Sequence, residues 1–216
     1  MNLKTLEKRS YKCEVRAEEG KEGYIVGRPI VYESKTDLGW FDEVIDRGAL
    51  DGADLTDVRF LINHDLSKIP LARSRRNNGN STMRLTPDYE GMEIGAQLDI
   101  ENNADSKSLY SAVGRGDVTG MSFMFSIDEE SWENLETDHP TRHVIRIGSV
   151  VEVSAVTFPA YEATSIDARS SEVLDSAKAA LDKARKAAQA RNEEINEEVD
   201  TSLELAKAKF AFRSKF

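Results

Sequence analysis

From Tyr11 to about Ile166 the chain sets short apolar runs between clusters of Gly, Pro, Asn and Asp. The runs are YIVGRPIVY (Tyr24–Tyr32), VRFLINH (Val58–His64), MEIGAQLDI (Met92–Ile100), MSFMFSI (Met121–Ile127), HVIRIGSV (His143–Val150) and VEVSAVTF (Val151–Phe158). Several alternate apolar and polar residues, and most are rich in Val, Ile and aromatics, which predicts strands of a mixed or antiparallel sheet. The architecture this implies is mainly β, a barrel or a sandwich. One helix is predicted over Ala104–Asp117, where Leu109, Ala112 and Val113 fall at helical spacing and Gly114 and Gly116 act as stops. A short helical turn is expected near Arg47–Leu50, and RSRRNNGNSTMRL (Arg73–Leu85) reads as a loop or hairpin tip.

After Asp167 the pattern changes. Ser170–Phe216 has no Gly or Pro and is dominated by Ala, Glu, Lys, Arg and Leu, so a long helix is predicted. Its large apolar residues (Val173, Leu174, Leu181, Ile195, Val199, Leu203, Leu205) are sparse, a stripe too thin to stabilise a solitary helix. The organisation expected is therefore a β domain over residues 1–167 and a helical tail over residues 168–216 that packs on a partner or wanders in solution.

Composition narrows the partners. The chain has 216 residues, 39% of them hydrophobic, enough for one core and an appendage. A formal charge of −10 argues against nucleic acid, because neutralising phosphates needs a basic face. The single cysteine, Cys13, excludes an internal disulfide and a cage of thiolates around zinc, which suits a reducing compartment. No apolar run approaches the roughly 18 to 20 residues of a membrane span, and MNLKTLEKRSYKCEV lacks a signal-peptide apolar region, so the chain is expected to be soluble where it is made.

Three residues could carry chemistry. His64 ends an apolar run and is followed by Asp65 and a polar turn, which places an imidazole at the rim of a sheet; a surface or capping histidine is the alternative. Ser122, in TGMSFMFS, is a polar residue in a run that otherwise favours burial, with Gly120 leaving room for a substrate backbone; a serine on the solvent face of a half-buried strand is the alternative. Strand alternation puts Glu152 on a face with Ser154, Val156 and Phe158, where an unpaired carboxylate is costly, so it needs a cationic or hydrogen-bonding partner unless the strand is a wet edge. Serine chemistry needs a base for the hydroxyl proton and a third group that holds the base in one tautomer, so Ser122, His64 and Glu152 form a possible set. His139 and His143 lie four apart, but Pro140 between them disfavours a helical metal pair and no third ligand is evident. His143 is the rival to Glu152 as the group orienting His64. No cofactor or metal is called for.

The ordered motifs N-H-D (Asn63–Asp65), G-M-S-F (Gly120–Phe123) and E-V-S-A-V-T-F-P-A-Y (Glu152–Tyr161), with GYIVGRPIVYES and FDEVIDRGALDG before them, resemble the prohead maturation proteases of tailed bacteriophages, lambdoid type. The resemblance runs from about Tyr11 to Asp167. It implies a mainly β fold with peripheral helices (α+β), a serine protease β-barrel similar to herpesvirus assemblin, with a nucleophile matching Ser122 and a base matching His64. The third member is histidine in assemblin and acidic in phage relatives, where Glu152 is the matching position. An oxyanion donor in the loop after Phe158 follows only by analogy. The resemblance also implies packaging inside the procapsid in the host bacterial cytoplasm, cleavage of the scaffold or N-terminal regions of the capsid protein, self-cleavage, and loss from the mature virion. A homodimer is an expectation from the herpesvirus relatives. The tail would then recruit the enzyme by packing on helical scaffold, with its basic end AKAKFAFRSKF (Ala206–Phe216) facing acidic segments. A non-enzymatic assembly protein and a zinc hydrolase using His64, His139 and His143 are the rival readings.

Overall fold

A computed structural model describes residues 6–11, 15–157 and 171–213. In chain order the elements are β1 (Leu6–Tyr11), β2 (Arg16–Ala17), β3 (Tyr24–Val31), β4 (Thr36–Asp37), β5 (Asp42–Ile45), β6 (Arg59–Ile62) and β7 (Ala72–Arg73). There follow a 3-10 turn (Arg75–Asn77), β8 (Met83–Asp88), β9 (Gly91–Gln97), α1 (Ala104–Arg115), β10 (Gly120–Glu133), β11 (Thr141–Val156) and α2 (Ser171–Arg213).

The strands make two sheets. One is antiparallel, in the order β2-β3-β9-β8; the other is mixed and seven-stranded, running β1-β10-β11-β5-β4, with β6 and β7 joined on β11 beside β5. Residues from both sheets share one core: Ile25, Ile30, Met92 and Ile94 from the first, and Phe60, Phe123, Phe125 and Val153 from the second, with Leu109 and Val113 of α1. Neither sheet closes on itself among the described residues, so the strands form two open sheets around one core and no closed barrel. Alternation specifies which face of a strand is buried. It does not specify whether the last strand finds the first.

The long strand β11 organises the seven-stranded sheet. Its outer neighbour β10 runs antiparallel along its whole length, while its other edge is shared, β5 pairing in parallel with Thr141–Val144 and β6 in parallel with Glu152–Ala155. His143–Val150 and Val151–Phe158, read separately in the sequence, are thus one strand as far as Val156. The helix expected over Ala104–Asp117 ends at Arg115. The side chain of Asn103 accepts from the backbone N–H groups of Asp105 and Ser106, and Gly116 closes the C-terminus in the left-handed region (φ 75°). Arg47–Leu50 is a turn without helix.

The chain divides into two compact units, Met1–Leu174 and Asp175–Phe216. The expected boundary at Asp167 lies outside the described residues. Helix α2 makes up most of the second unit, and its Ile195, Val199 and Leu203 are 48%, 56% and 50% exposed. No helix among the described residues is long and apolar enough to cross a membrane.

Candidate active site

Strand register brings the three candidates together. Ser122 on β10 stands opposite Ser154 on β11, and Ser154 stands opposite Leu61 on β6. Residues in register project from the same face, and Glu152, two before Ser154, joins them there. The opposite face takes Met121, Phe123, Val153 and Ala155 into the core. Ser122 is therefore not on a half-wet strand, nor is Glu152 at a wet edge: both are 0% exposed, on two central strands.

His64 reaches this face from a turn just beyond β6. The backbone N–H of Asp65 donates to the Ile62 carbonyl (3.1 Å), and the two residues between, Asn63 and His64, both lie in the left-handed region (φ 50° and 58°). That sign pattern belongs to a type I′ turn, which Asn tolerates and a bulky residue resists. Contacts with the end of β11 hold the turn. The Asn63 N–H donates to the Ala155 carbonyl (3.0 Å), the Asn63 side chain exchanges hydrogen bonds with Thr157, and the His64 N–H donates to Ser154 Oγ (3.1 Å). Strain of this kind persists only where its surroundings over-determine it.

The imidazole of His64, 9% exposed, then spans the other two groups. Its Nδ1 is hydrogen-bonded to Glu152 Oε1, and its Nε2 lies 2.5 Å from Ser122 Oγ. A carboxylate only accepts, so the Nδ1 partner fixes the tautomer with Nδ1 protonated and leaves Nε2 as acceptor toward the serine. The second carboxylate oxygen of Glu152 accepts from the Ser154 hydroxyl (2.6 Å). Ser122 Oγ has another acceptor within reach, the Arg9 carbonyl oxygen on β1 at 2.7 Å. One hydroxyl proton thus has two destinations.

The other histidines lie elsewhere. His143, the rival orienting group, sits toward the opposite end of β11, with Nδ1 2.8 Å from Asp46 and Nε2 3.5 Å from Glu133. His139 pairs with Asp42 (3.1 Å), and with Asp37 they form an exposed group of possible metal donors in which Lys35 already contacts Asp42. His64, His139 and His143 do not converge, so the three-histidine zinc site is not formed. The expected oxyanion donor after Phe158 lies outside the described residues. A 260 Å³ cavity opens beside the His64 turn, lined by Leu61, Ile62, Asn63, Ile69 and Leu71 with Asp65, Lys68 and Asp105.

Sequence reasoning missed two contributors, Ser154 and Asn63. The signal for Ser154 was its position two residues beyond Glu152 on the same strand face. For Asn63 it was a left-handed-tolerant residue directly before the histidine.

No curated protein and no solved structure matches the chain. A family model described as caudovirus prohead serine protease matches residues 11–178, a span that takes in His64, Ser122, Glu152 and Ser154, and the chain belongs to that family.

Proposed function

We propose that the chain is a serine endopeptidase of phage head maturation in which Ser122 is the nucleophile, His64 the general base and Glu152 the group that orients it. The carrying observation is the His64 imidazole set between Ser122 Oγ and the Glu152 carboxylate. In the first step the Ser122 hydroxyl turns from the Arg9 carbonyl to Nε2. Oγ bonds to the scissile carbonyl carbon as its proton passes to His64, and the imidazolium is stabilised by Glu152 through Nδ1. Nε2 then gives that proton to the departing amine as the peptide C–N bond breaks, leaving an acyl-enzyme. Water, deprotonated by the same Nε2, releases the acid and restores Ser122. The cavity beside the His64 turn is suited to a substrate side chain.

In this reading the enzyme acts inside the procapsid on the scaffolding or N-terminal region of the capsid protein and on itself. Helix α2 recruits it, its half-exposed Ile195, Val199 and Leu203 stripe meeting an amphipathic scaffold helix. The test is Ser122→Ala, with capsid proteins from the resulting shells weighed by mass spectrometry. Shells should assemble with unprocessed capsid protein, and turnover on a capsid-derived peptide should fall by about 10⁴-fold or more. Unchanged processing would remove Ser122 as nucleophile and leave a non-enzymatic assembly protein as the better account.

A further inference from the structure

We infer that Ser154 is a positioning residue of the catalytic centre, one hydroxyl that sets both the carboxylate of Glu152 and the backbone of His64. The inference rests on the serine-protease reading above and adds a fourth member to it. Ser154 is 0% exposed and stands between the nucleophile strand and the histidine strand, opposite Ser122 on one side and Leu61 on the other. Its Oγ donates its proton to Glu152 Oε2 (2.6 Å) and accepts the N–H of His64 (3.1 Å). A hydroxyl has one proton and two lone pairs, so the two bonds are compatible and mutually reinforcing.

Each bond meets a separate need. Glu152 is buried, and with Oε1 given to His64 Nδ1 its other oxygen requires a donor, which the Ser154 hydroxyl supplies. Both oxygens are then engaged and the carboxylate plane is fixed, which fixes the direction in which the imidazole must lie. The second need is the backbone of His64, held at φ 58° directly after another left-handed residue. An N–H at such a turn has no ladder partner, and the Ser154 oxygen gives it one in the buried strand. The hydroxyl therefore ties the position of the His64 backbone to that of the Glu152 carboxylate. A free rotation of either would move Nε2 away from Ser122 Oγ, now 2.5 Å off. The Ser154 hydroxyl bonds to groups that flank the reacting atoms, the Glu152 carboxylate and the His64 backbone.

The test compares Ser154→Ala with Ser154→Thr in the full-length chain. Loss of the hydroxyl should lower kcat about tenfold to a hundredfold, the range for unmaking buried hydrogen bonds, with KM within about twofold. Threonine keeps the donor and acceptor and should return kcat to within about threefold of the parent. A second readout needs no turnover: in the Ser122→Ala background, the Nδ1–H proton of His64 should give a sharp downfield resonance that Ser154→Ala broadens or abolishes and Ser154→Thr preserves. A Ser154→Ala enzyme with kcat within twofold of the parent, or an unaltered resonance, overturns the inference. So does a fall in activity that only tracks the folded fraction. If Ser122→Ala itself retains activity, the endopeptidase reading fails instead, and the resonance still reports whether Ser154 holds His64.

Discussion

The seven-stranded sheet buries a polar cluster on each face, and the two are built from different materials. On one face stand His64, Glu152, Ser154 and Ser122, joined by hydrogen bonds through one imidazole, one carboxylate and two hydroxyls. On the other, opposite Phe123 and Phe125, Arg9 and Glu7 of β1 meet Glu43 of β5, Arg142 of β11 and Glu130 of β10. Arg142 donates to Glu7 (2.8 and 3.0 Å), to Glu130 (2.7 Å) and to Glu43 (3.3 Å), while Arg9 bridges Glu7 and Glu43 and lies 5.7 Å from the centre of the Phe125 ring. Charges taken out of water repay their desolvation only when their lone pairs and N–H groups are used, and here two guanidinium groups serve three carboxylates, the five side chains coming from four adjacent strands. Such a cluster fastens the sheet. The first, in the proposed reading, moves a proton. Strand β1 joins the two, since Arg9 puts its side chain into the ionic cluster and its carbonyl oxygen beside Ser122 Oγ.

If this division holds, substitutions on the two faces should separate activity from stability. After Ser122→Ala, the largest effect is expected from Glu152→Gln, which keeps shape and removes the charge that favours imidazolium: turnover should drop by about 10²- to 10⁴-fold while the unfolding transition stays near that of the parent. Full activity in this variant, with His143→Ala inactive, would move the orienting role to His143. On the opposite face, Arg142→Ala should destabilise the chain by about 3–5 kcal/mol, because Glu7, Glu43 and Glu130 are left short of counter-charge. Urea unfolding measures this, and kcat per folded molecule should change by less than about threefold. An Arg142→Ala enzyme that is stable but inactive would erase the contrast between the faces.

Legibility in the sequence followed the range of the interactions. Local alternation sufficed for most strands and for α1, whose Asn103 cap and Gly116 stop are read within a few residues. It misjudged β11 as two runs because Val150 and Val151 break the alternation, and at that point the pairing with β10 shifts, Met124 facing Glu152 and Phe125 facing Val150. The site was legible as three ordered motifs, yet the residues alone left His64 open to a capping role, since only the non-local register of β6, β11 and β10 brings them within bonding distance. The ionic cluster was invisible. Arg9 and Glu43 are 34 positions apart and Glu7 and Arg142 are 135 apart, and each reads by itself as an ordinary charged residue on a solvated face. Sheet closure, which separates a barrel from a sandwich, depends on edges that no local pattern encodes.

The smallest expected effect concerns acid. Burial alone would raise the pKa of Glu7, but the charges of Arg9 and Arg142 and the hydrogen bonds they donate outweigh it and hold the carboxyl below its ordinary value of 4.5. For a carboxylate depressed on folding, the stabilisation is complete above the unfolded-state value and disappears as pH falls through the folded one, because the unfolded chain takes up the proton first. Stability to urea should therefore decline below about pH 4.5 more steeply in the parent than in Glu7→Gln, which has no proton to gain there. Other acids contribute to both proteins alike. Asp88, held at about 2 chiefly by its bonds with Arg28, titrates further down and drops out of the difference. Nor does the face of the proposed triad enter that difference, since the hydrogen-bond partners of the Glu7 side chain are Arg9 and Arg142 and not His64, Ser122 or Glu152. Parallel pH profiles for parent and Glu7→Gln would mean that the cluster's charges are as well solvated in the unfolded chain as in the fold. In that case the sheet owes its cohesion to the apolar core of Phe60, Phe123 and Phe125, and the ionic face specifies register without adding stability.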